Sequence, residues 1–514
     1  MPKNNQGWRA GGLLLHPSSL YSPYGIGDLG PGARLLAGFM KKAGLQYWQT
    51  LPLTPTSSGL GNSPYSSFSV YGGNTLLVSP DMMVRDGWLQ AHEAKQAETA
   101  PSSRVDFDCV QKAKDGLIEL AFGRAESSLE RHAAFQQFTW DNGAWLNDLA
   151  FFKAAKDLFG GAAWLNWPEP LKWRDNAALH HYGTDLGRAI KREKFAQYLF
   201  FSQLAELKEL LAAQGLGLIG DAAIYVNHDS CDVWAQPHLF HLDETGQSRA
   251  VAGVPPDYFA KDGQLWGNPL FNWAEHRRDG FEWWKNRLWH SFKLYDWIRL
   301  DHFRAFAAYW EVPAGAETAA PGRWQPGPGA ELFQAATIEK PLNIIAEDLG
   351  FITPDVTELR RLFGYPGMRV LQFAFGPDMG FNAHAPYRIE PDNVVFSGTH
   401  DNNTSRGWYR QEATAMMRQQ LNELAGYGVC EENAAQALIR LAWLSSACLA
   451  MTPLQDILNL DESARMNVPG DPSGNWAWKM AGPEVLTDEL AASLADLGAL
   501  AGRDNYEHPN TLTY

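Results

Sequence analysis

The sequence predicts an α/β fold of one kind: a closed (β/α)8 TIM barrel with large subdomain insertions between its second and third strands and between its third and fourth. Three observations lead there. Eight short apolar runs recur along the 514 residues, and helical patterns separate several of them. No glycine-rich dinucleotide fingerprint follows the first run, which removes the main argument for an open nucleotide-binding sheet. Near-continuous apolar runs suit parallel strands covered on both faces, and eight of them favour closure.

In chain order the runs are "GLLLH" (12–16), "YWQTLPL" (47–53), "LGLIGDAAIYV" (216–226), "DWIRLDHF" (296–303), "NIIAEDL" (343–349), "MRVLQFAF" (368–375), "NVVFSGTH" (393–400) and "SACLAMTPL" (446–454). Before the third run, residues 192–215 space Phe195, Tyr198, Leu199, Leu204, Leu207 and Leu211 as one helical face and end on Gly215, a C-terminal cap. Residues 353–364 open on Thr-Pro and close on Gly, a second helix with both punctuation marks. About 160 residues separate the second and third runs, far more than the ~12–15 that a structureless loop tolerates. The expected division is therefore 1–53 for the start of the barrel, 54–215 for an inserted, mostly helical subdomain, and 216–514 for the rest. A lid-like insertion is expected at about 227–295, and the Pro/Gly-rich stretch 313–329 reads as a surface loop.

Composition narrows the function. The net charge of −15 argues against nucleic acid and anionic membranes as partners. Cys109, Cys231, Cys430 and Cys448 have no CxxC spacing and read as free thiols of a cytoplasmic protein. The N-terminal stretch lacks the ~7–15-residue apolar core of a secretory signal. No run approaches the ~18 apolar residues of a membrane span. Several of the 21 tryptophans sit beside Gly, Pro or Asn, as in "QLWGNPLFNW" (264–273), "PGRWQPGPG" (321–329) and "SGNWAWKM" (473–480). Aromatic faces in such segments suit stacking on sugars. Trp266, flanked by glycines, is expected on a mobile loop over the cleft, and Trp324 is within possible reach of a substrate.

The chemistry lies at strand ends. In barrels of this kind the C-terminal ends of strands carry function. The third strand carries Asp221. The fourth carries Arg299 and Asp301, two residues apart and so on one face, followed by His302. The fifth ends in Glu347-Asp348, and the seventh in His400-Asp401. A structural ion pair explains Arg299 and Asp301 alone. It does not explain carboxylates at four matching strand ends, which would repel unless a ligand, cation or proton resolved them. Paired carboxyl groups suit glycosidic bond cleavage, one as a proton donor in an apolar setting and one as an ionised nucleophile beside a cation. Glu347, within "IIAED", fits the first part, and Asp301 beside Arg299 fits the second.

The motifs "LLLHPSSLYSPYGIGDLG", "YWQTLPLTPT", "SPYSSFSVYGGN", "GDAAIYVNHDSCDVW", "LWGNPLFNW", "RLDHFRA", "AEDLG" and "SGTHDNNT" run in order through nearly the whole chain. Together they resemble the 4-α-glucanotransferases, the amylomaltase or disproportionating-enzyme family, relatives of the α-amylase barrels. The resemblance implies a retaining transglycosylase that moves α-1,4-glucan segments from a maltooligosaccharide donor to the 4-hydroxyl of glucose or a maltooligosaccharide acceptor, without organic cofactor or catalytic metal. It assigns the nucleophile to Asp301, the acid/base to Glu347 and transition-state stabilisation to Asp401. Arg299, His400, Asp221, Tyr65, Trp266 and Asn467 become substrate contacts. Tyr71 is a weaker candidate for binding, and Trp283 and Trp284 read as helix-packing residues. Asn227-His228 departs from the family pattern. His228, Asp229 and Asp232 have the chemistry of metal ligands, although a hydrogen-bonded loop accounts for them better, since they lack paired-His spacing. The alternative activity is an α-amylase-like hydrolase, with water as the acceptor. A metal-dependent hydrolase would need clustered histidines at the strand ends, where only His302 and His400 fall.

Overall fold

The computed structural model describes residues 9–256, 261–338, 340–471 and 473–504. Twelve strands follow one another along the chain: β1 (Ala10–Leu14), β2 (Tyr47–Gln49), β3 (Gly217–Ala222), β4 (Ala250–Val254), β5 (Gln264–Pro269), β6 (Trp297–Leu300), β7 (Ala308–Pro313), β8 (Arg323–Pro326), β9 (Ile344–Ala346), β10 (Gly367–Val370), β11 (Asn393–Phe396) and β12 (Leu449–Pro453). Eight of them close into a parallel barrel in the order β1-β12-β11-β10-β9-β6-β3-β2. Each of the eight expected runs contributes one barrel strand.

The barrel strands are short because each is needed only where it crosses the core. Their inward side chains, among them Tyr47, Ile219, Trp297, Ile345, Met368, Phe396 and Met451, form a packed interior separate from the larger core outside the barrel. The space is tight enough that a Cβ at Gly12 would lie 2.3 Å from the Met451 sulfur. On β6, Trp297 faces in while Ile298 and Leu300 face the outer core, so Arg299 faces in as well.

Helices Pro31–Lys42, Gly187–Ala213, Glu282–Leu294, Ala330–Thr337, Pro354–Leu362, Ala434–Leu444 and Asp488–Ala501 cover the outside. The long helix begins five residues before the expected residue 192 and stops at Ala213, with the expected cap Gly215 just beyond it at φ +76°. Between β10 and β11 the usual α-helix is replaced by 3-10 turns at Leu371–Phe373 and Pro386–Arg388. The stretch between β2 and β3 is mainly helical. Its aromatic segment forms two helices, Ala133–Asp141 and Gly143–Leu158, the second packed along Gly187–Ala213.

Two expectations need correction. Trp266 lies on β5 and not on a loop, and residues 323–326 within the supposed surface loop form β8. Both are edge strands of an antiparallel sheet ordered β5-β4-β7-β8. This sheet draws strands from both sides of β6. A proline- and glycine-rich segment was able to form a strand because it lies at an edge, where one side of the backbone needs no ladder partner.

Candidate active site

The site is built where β3, β6, β9 and β11 end. Parity along the strands decides which side chains enter it. Ile219, Trp297 and Ile345 face the barrel interior, and the residues two further on are Asp221, Arg299 and Glu347. β3 and β6 pair in register, with Asp221 opposite Arg299.

Arg299 is the hub. Its Nη1 donates to both carboxylate oxygens of Asp221, at 3.0 and 2.8 Å. Its Nη2 lies 2.8 Å from Oδ1 of Asp301. Asp221 has no exposed side-chain surface, whereas the Asp301 side chain remains 31% exposed. The arginine is thus pinned from behind, and only the carboxylate in front of it can reach a ligand. Burial works against the Arg299 charge, but Asp221 and Asp301 outweigh it, so its pKa rises well above the ordinary value. Burial pushes the Asp221 carboxyl up, against the pull of Arg299.

Glu347 stands differently. Its Oε2 accepts the backbone N–H of His302 at 2.7 Å, and its Oε1 accepts that of Leu349 at 2.9 Å. Burial, then the negative charge of Asp301, raises its pKa to about 7, although Arg299 and both N–H groups oppose the shift. His302 can present its N–H because its backbone is left-handed, with φ +50°. A non-glycine residue in that region is strained, and such strain gathers at functional sites. The imidazole of His302 is kept neutral, its pKa lowered to about 4 by burial.

The opposite wall comes from β11 and the loop beyond it. Asn467 Nδ2 donates to Asp401 Oδ1 at 2.6 Å, and His400 Nε2 lies 3.4 Å from the same oxygen. Arg465 Nη2 donates to the Asp401 carbonyl at 2.7 Å. Tyr65, from the stretch after β2, donates its hydroxyl to Asp221 Oδ2 at 2.8 Å and stacks on His400 with centroids 5.1 Å apart. Trp266 packs edge-on against His302 at 4.8 Å and keeps 37% of its surface exposed.

The three residues expected in catalysis and the six expected as substrate contacts therefore gather around one mouth. Those that sequence reasoning passed over are mostly supports. Trp476 lies 5.9 Å from Tyr65 and 6.0 Å from His400, and its only signal was a tryptophan in a glycine- and asparagine-rich segment. Arg465 and the amide of His302 gave no signal, since backbone contacts leave none. Tyr71 turns away from the carboxylates; its hydroxyl donates to the Trp283 carbonyl and its ring stacks on Trp145. Trp283 and Trp284 are buried in the core, as expected.

The loop after β3 has no shared focus for a metal. Asp229 pairs with Lys156 and accepts the Trp164 N–H, His228 bonds the Gly246 carbonyl and stacks on Trp164, and Asp232 accepts the Val70 N–H. Among the described residues, no group of three or more His, Cys, Asp or Glu side chains is arranged to hold a metal ion.

Chemically, the mouth offers the arginine-paired carboxyl group of Asp301 just past the end of β6 and, just past the end of the adjacent strand β9, a carboxyl whose pKa is raised to about 7. A third carboxyl group, that of Asp401, faces them from the loop after β11. Two carboxyl groups in such different settings, one paired with an arginine and one buried with its pKa raised, can divide acid and nucleophile duties between them.

The chain matches the glycoside hydrolase 77 family model, described as 4-alpha-glucanotransferase, over residues 15–486. A 4-alpha-glucanotransferase of Thermus thermophilus is 44% identical over 494 residues, spanning 95% of this chain and 97% of that protein. One from Synechocystis is 42% identical over 504 residues, spanning 97% and 99%. Among solved structures, an amylomaltase from Streptococcus agalactiae in complex with acarbose superposes with a TM-score of 0.93 at 34% identity, covering 97% of this chain and all of that one.

Proposed function

The chain belongs to the 4-alpha-glucanotransferase family and is itself a 4-α-glucanotransferase, and from that premise we propose that Asp301 is its nucleophile, Glu347 its general acid and base, and Asp401 its transition-state stabiliser. The observation that carries the assignment is the contrast between neighbouring strand ends. Asp301 is paired with Arg299, while Glu347 is buried, held by two N–H groups, and titrates near pH 7.

In the first half-reaction, protonated Glu347 gives its proton to the glycosidic oxygen of an α-1,4-glucan as the Asp301 carboxylate bonds to the anomeric carbon. The carbon–oxygen bond breaks, and the leaving chain departs with a free 4-hydroxyl. In the second, Glu347, now a carboxylate, takes the proton from the 4-hydroxyl of an incoming sugar. That oxygen bonds to the anomeric carbon and releases Asp301. Two inversions restore the α configuration. Asp401, steadied by Asn467, faces the positive charge that develops on the sugar ring. Tyr65 and His400 offer a stacking wall, and Trp266 a second aromatic surface across the mouth.

Donor and acceptor are maltooligosaccharides, glucose being the smallest acceptor. Transfer outruns hydrolysis when the acceptor is held in line and water is kept out. We read residues 54–215 and about 227–295 as the inserted walls that do this around a barrel made by 1–53 and 216–514. The four cysteines are free, which supports work in a reducing compartment such as the cytoplasm. No helix among the described residues is long and apolar enough to cross a membrane.

Maltotriose alone is the test. It should give glucose and a ladder of longer maltooligosaccharides while total reducing ends hardly change. Steadily climbing reducing ends with no product longer than maltotriose would mark the α-amylase-like hydrolase instead.

A further inference from the structure

β12, the last barrel strand in the chain, supplies no reacting group, yet a buried carboxyl group lies just past its end. Asp456 sits in the short helix Leu454–Ile457 that directly follows β12, and it is 2% exposed. Its Oδ1 accepts the backbone N–H of Ser405 at 2.7 Å. Its Oδ2 accepts the hydroxyls of Ser405 and Ser397, at 2.6 and 2.7 Å. Both serines are fully buried. Among the described residues no lysine or arginine pairs with Asp456, and burial pushes its carboxyl up against the pull of the three donors. A carboxyl group taken out of water without a cation is costly. Its donors show what it holds in return.

Ser397 is the first residue after β11, and Ser405 is the first of helix Ser405–Gln411. Asp456 therefore bridges the two ends of the segment that joins strand to helix. Asp401 is the midpoint of that segment, four residues from each serine. The stretch that follows Asp456 holds the tip of the same loop. Asn467 donates its backbone N–H to the His400 carbonyl at 3.1 Å and its side-chain amide to Asp401, and Arg465 donates to the Asp401 carbonyl. The loop is thus gripped at its base by Asp456 and at its tip by two residues further along the same stretch. The Asp401 side chain is 46% exposed, so packing alone does not fix it, and the grip on its backbone does.

We propose that Asp456 is a positioning residue for the reaction: by tying Ser397 to Ser405 it sets where Asp401 and His400 stand relative to the sugar that becomes positively charged. The inference rests on the role proposed for Asp401. A carboxylate stabilises a developing charge best when it is already in place, and a misplacement of about 1 Å can cost on the order of 10²-fold in rate.

The test is kinetic, on full-length enzyme with maltotriose. Asp456→Ala should lower kcat by about 30- to 100-fold, while KM stays within about threefold. Asp456→Asn keeps the acceptor for the Ser405 N–H, and its amide can donate to both serine hydroxyls, so its kcat should stay within about threefold of the unaltered enzyme. The deciding measurement is a cycle with Asp401→Asn. If Asp456 acts through Asp401, Asp456→Ala should change the residual rate of Asp401→Asn by less than about threefold. An equal fold-loss in both backgrounds would mean that Asp456→Ala merely loosens the fold, and would overturn the proposal. So would a folded Asp456→Ala enzyme with near-normal kcat, or equal losses in the Ala and Asn variants, which would assign the effect to charge. Should Asp456→Ala fail to fold, Ser397→Ala and Ser405→Ala, each removing one hydroxyl, carry the same cycle; losses that multiply with that of Asp401→Asn, or no loss in either, overturn it. Failure of the underlying role shows separately, as near-normal turnover of Asp401→Asn alone.

Discussion

Two buried clusters of arginine and carboxylate meet at adjacent residues, Glu347 and Asp348, and they are built on opposite rules. Asp348 is fully committed. It accepts the Met368 N–H at 2.7 Å, and Arg360 and Arg369 each lie 3.1 Å from it. Its side chain and that of Arg360 are 2% and 1% exposed. Burial pushes its carboxyl up, against two arginines and a backbone donor. Glu347, one residue earlier, faces the mouth and is held by backbone N–H groups instead of an arginine. The difference teaches what a buried carboxyl is for. One that only ties β9 to β10 and the helix Pro354–Leu362 is clamped by cations. One that has to give up and retake a proton is held by groups that fix its position and leave its pKa near the working pH.

The comparison can be broken most directly at the reacting carboxyl groups. Asp301→Ala and Glu347→Gln should each lower maltotriose turnover by roughly 10³-fold or more while the circular dichroism spectrum is retained. A well-folded Asp301→Ala protein with near-normal turnover would remove the basis for the assignment. Asp348→Asn should do the reverse. It leaves the buried Arg360 and the partly buried Arg369 short of a counter-charge and should cost about 3–5 kcal/mol of stability, read by urea unfolding, with activity per folded molecule within a few-fold of normal. A stable but inactive Asp348→Asn protein would mean that the two clusters are not separable.

A pH series sharpens the same contrast. The folded pKa of Glu347 is raised to about 7, above its unfolded value, so the folded state binds more protons between those two values. Its contribution to stability is therefore fully present below the unfolded pKa and is lost as pH rises toward and through 7. The stability of Glu347→Gln relative to the unaltered protein should rise over that window, by up to about 3 kcal/mol. The same pKa predicts an alkaline limb in kcat/KM near pH 7, where the proton donor is lost. Thermal unfolding at pH 5 and pH 8 gives the first quantity and initial rates give the second; a stability difference that does not vary with pH would contradict the assignment. The smallest effect belongs to the rim. Trp266→Ala should raise KM for maltotriose several-fold and barely move the melting temperature, because the ring is 37% exposed and its ring contacts are the edge-on one with His302 and a looser one with Tyr225 at 6.1 Å.

Much of the mouth was legible because strand parity is a local rule. Once β6 is recognised from "WIRL", Arg299 and Asp301 must share a face with Trp297, and the same counting carries Asp221 and Glu347 inward. The accessory sheet was not legible for the converse reason. "QLWGNP" and "RWQP" have no alternating pattern, are mostly exposed, and contain proline. They become strands only by pairing with β4 and β7, and the two lie more than 50 residues apart in sequence. The left-handed turn at His302 was hidden too, since nothing in "DHF" marks a positive φ on a histidine.

What the sequence determined alone was the number and order of the barrel strands, the inward direction of the charged side chains, and the family to which its motifs point. These follow from burial on both faces and from two-residue periodicity, which are properties of short segments. Only the tertiary structure decided that Tyr65 caps Asp221 from 156 residues away, that Asn467 steadies Asp401, and that one arginine holds two aspartates while Glu347 has none. Those contacts join segments whose separate patterns are silent about one another. Closing the barrel makes them neighbours, and removing water from between them sets which carboxyl keeps its proton.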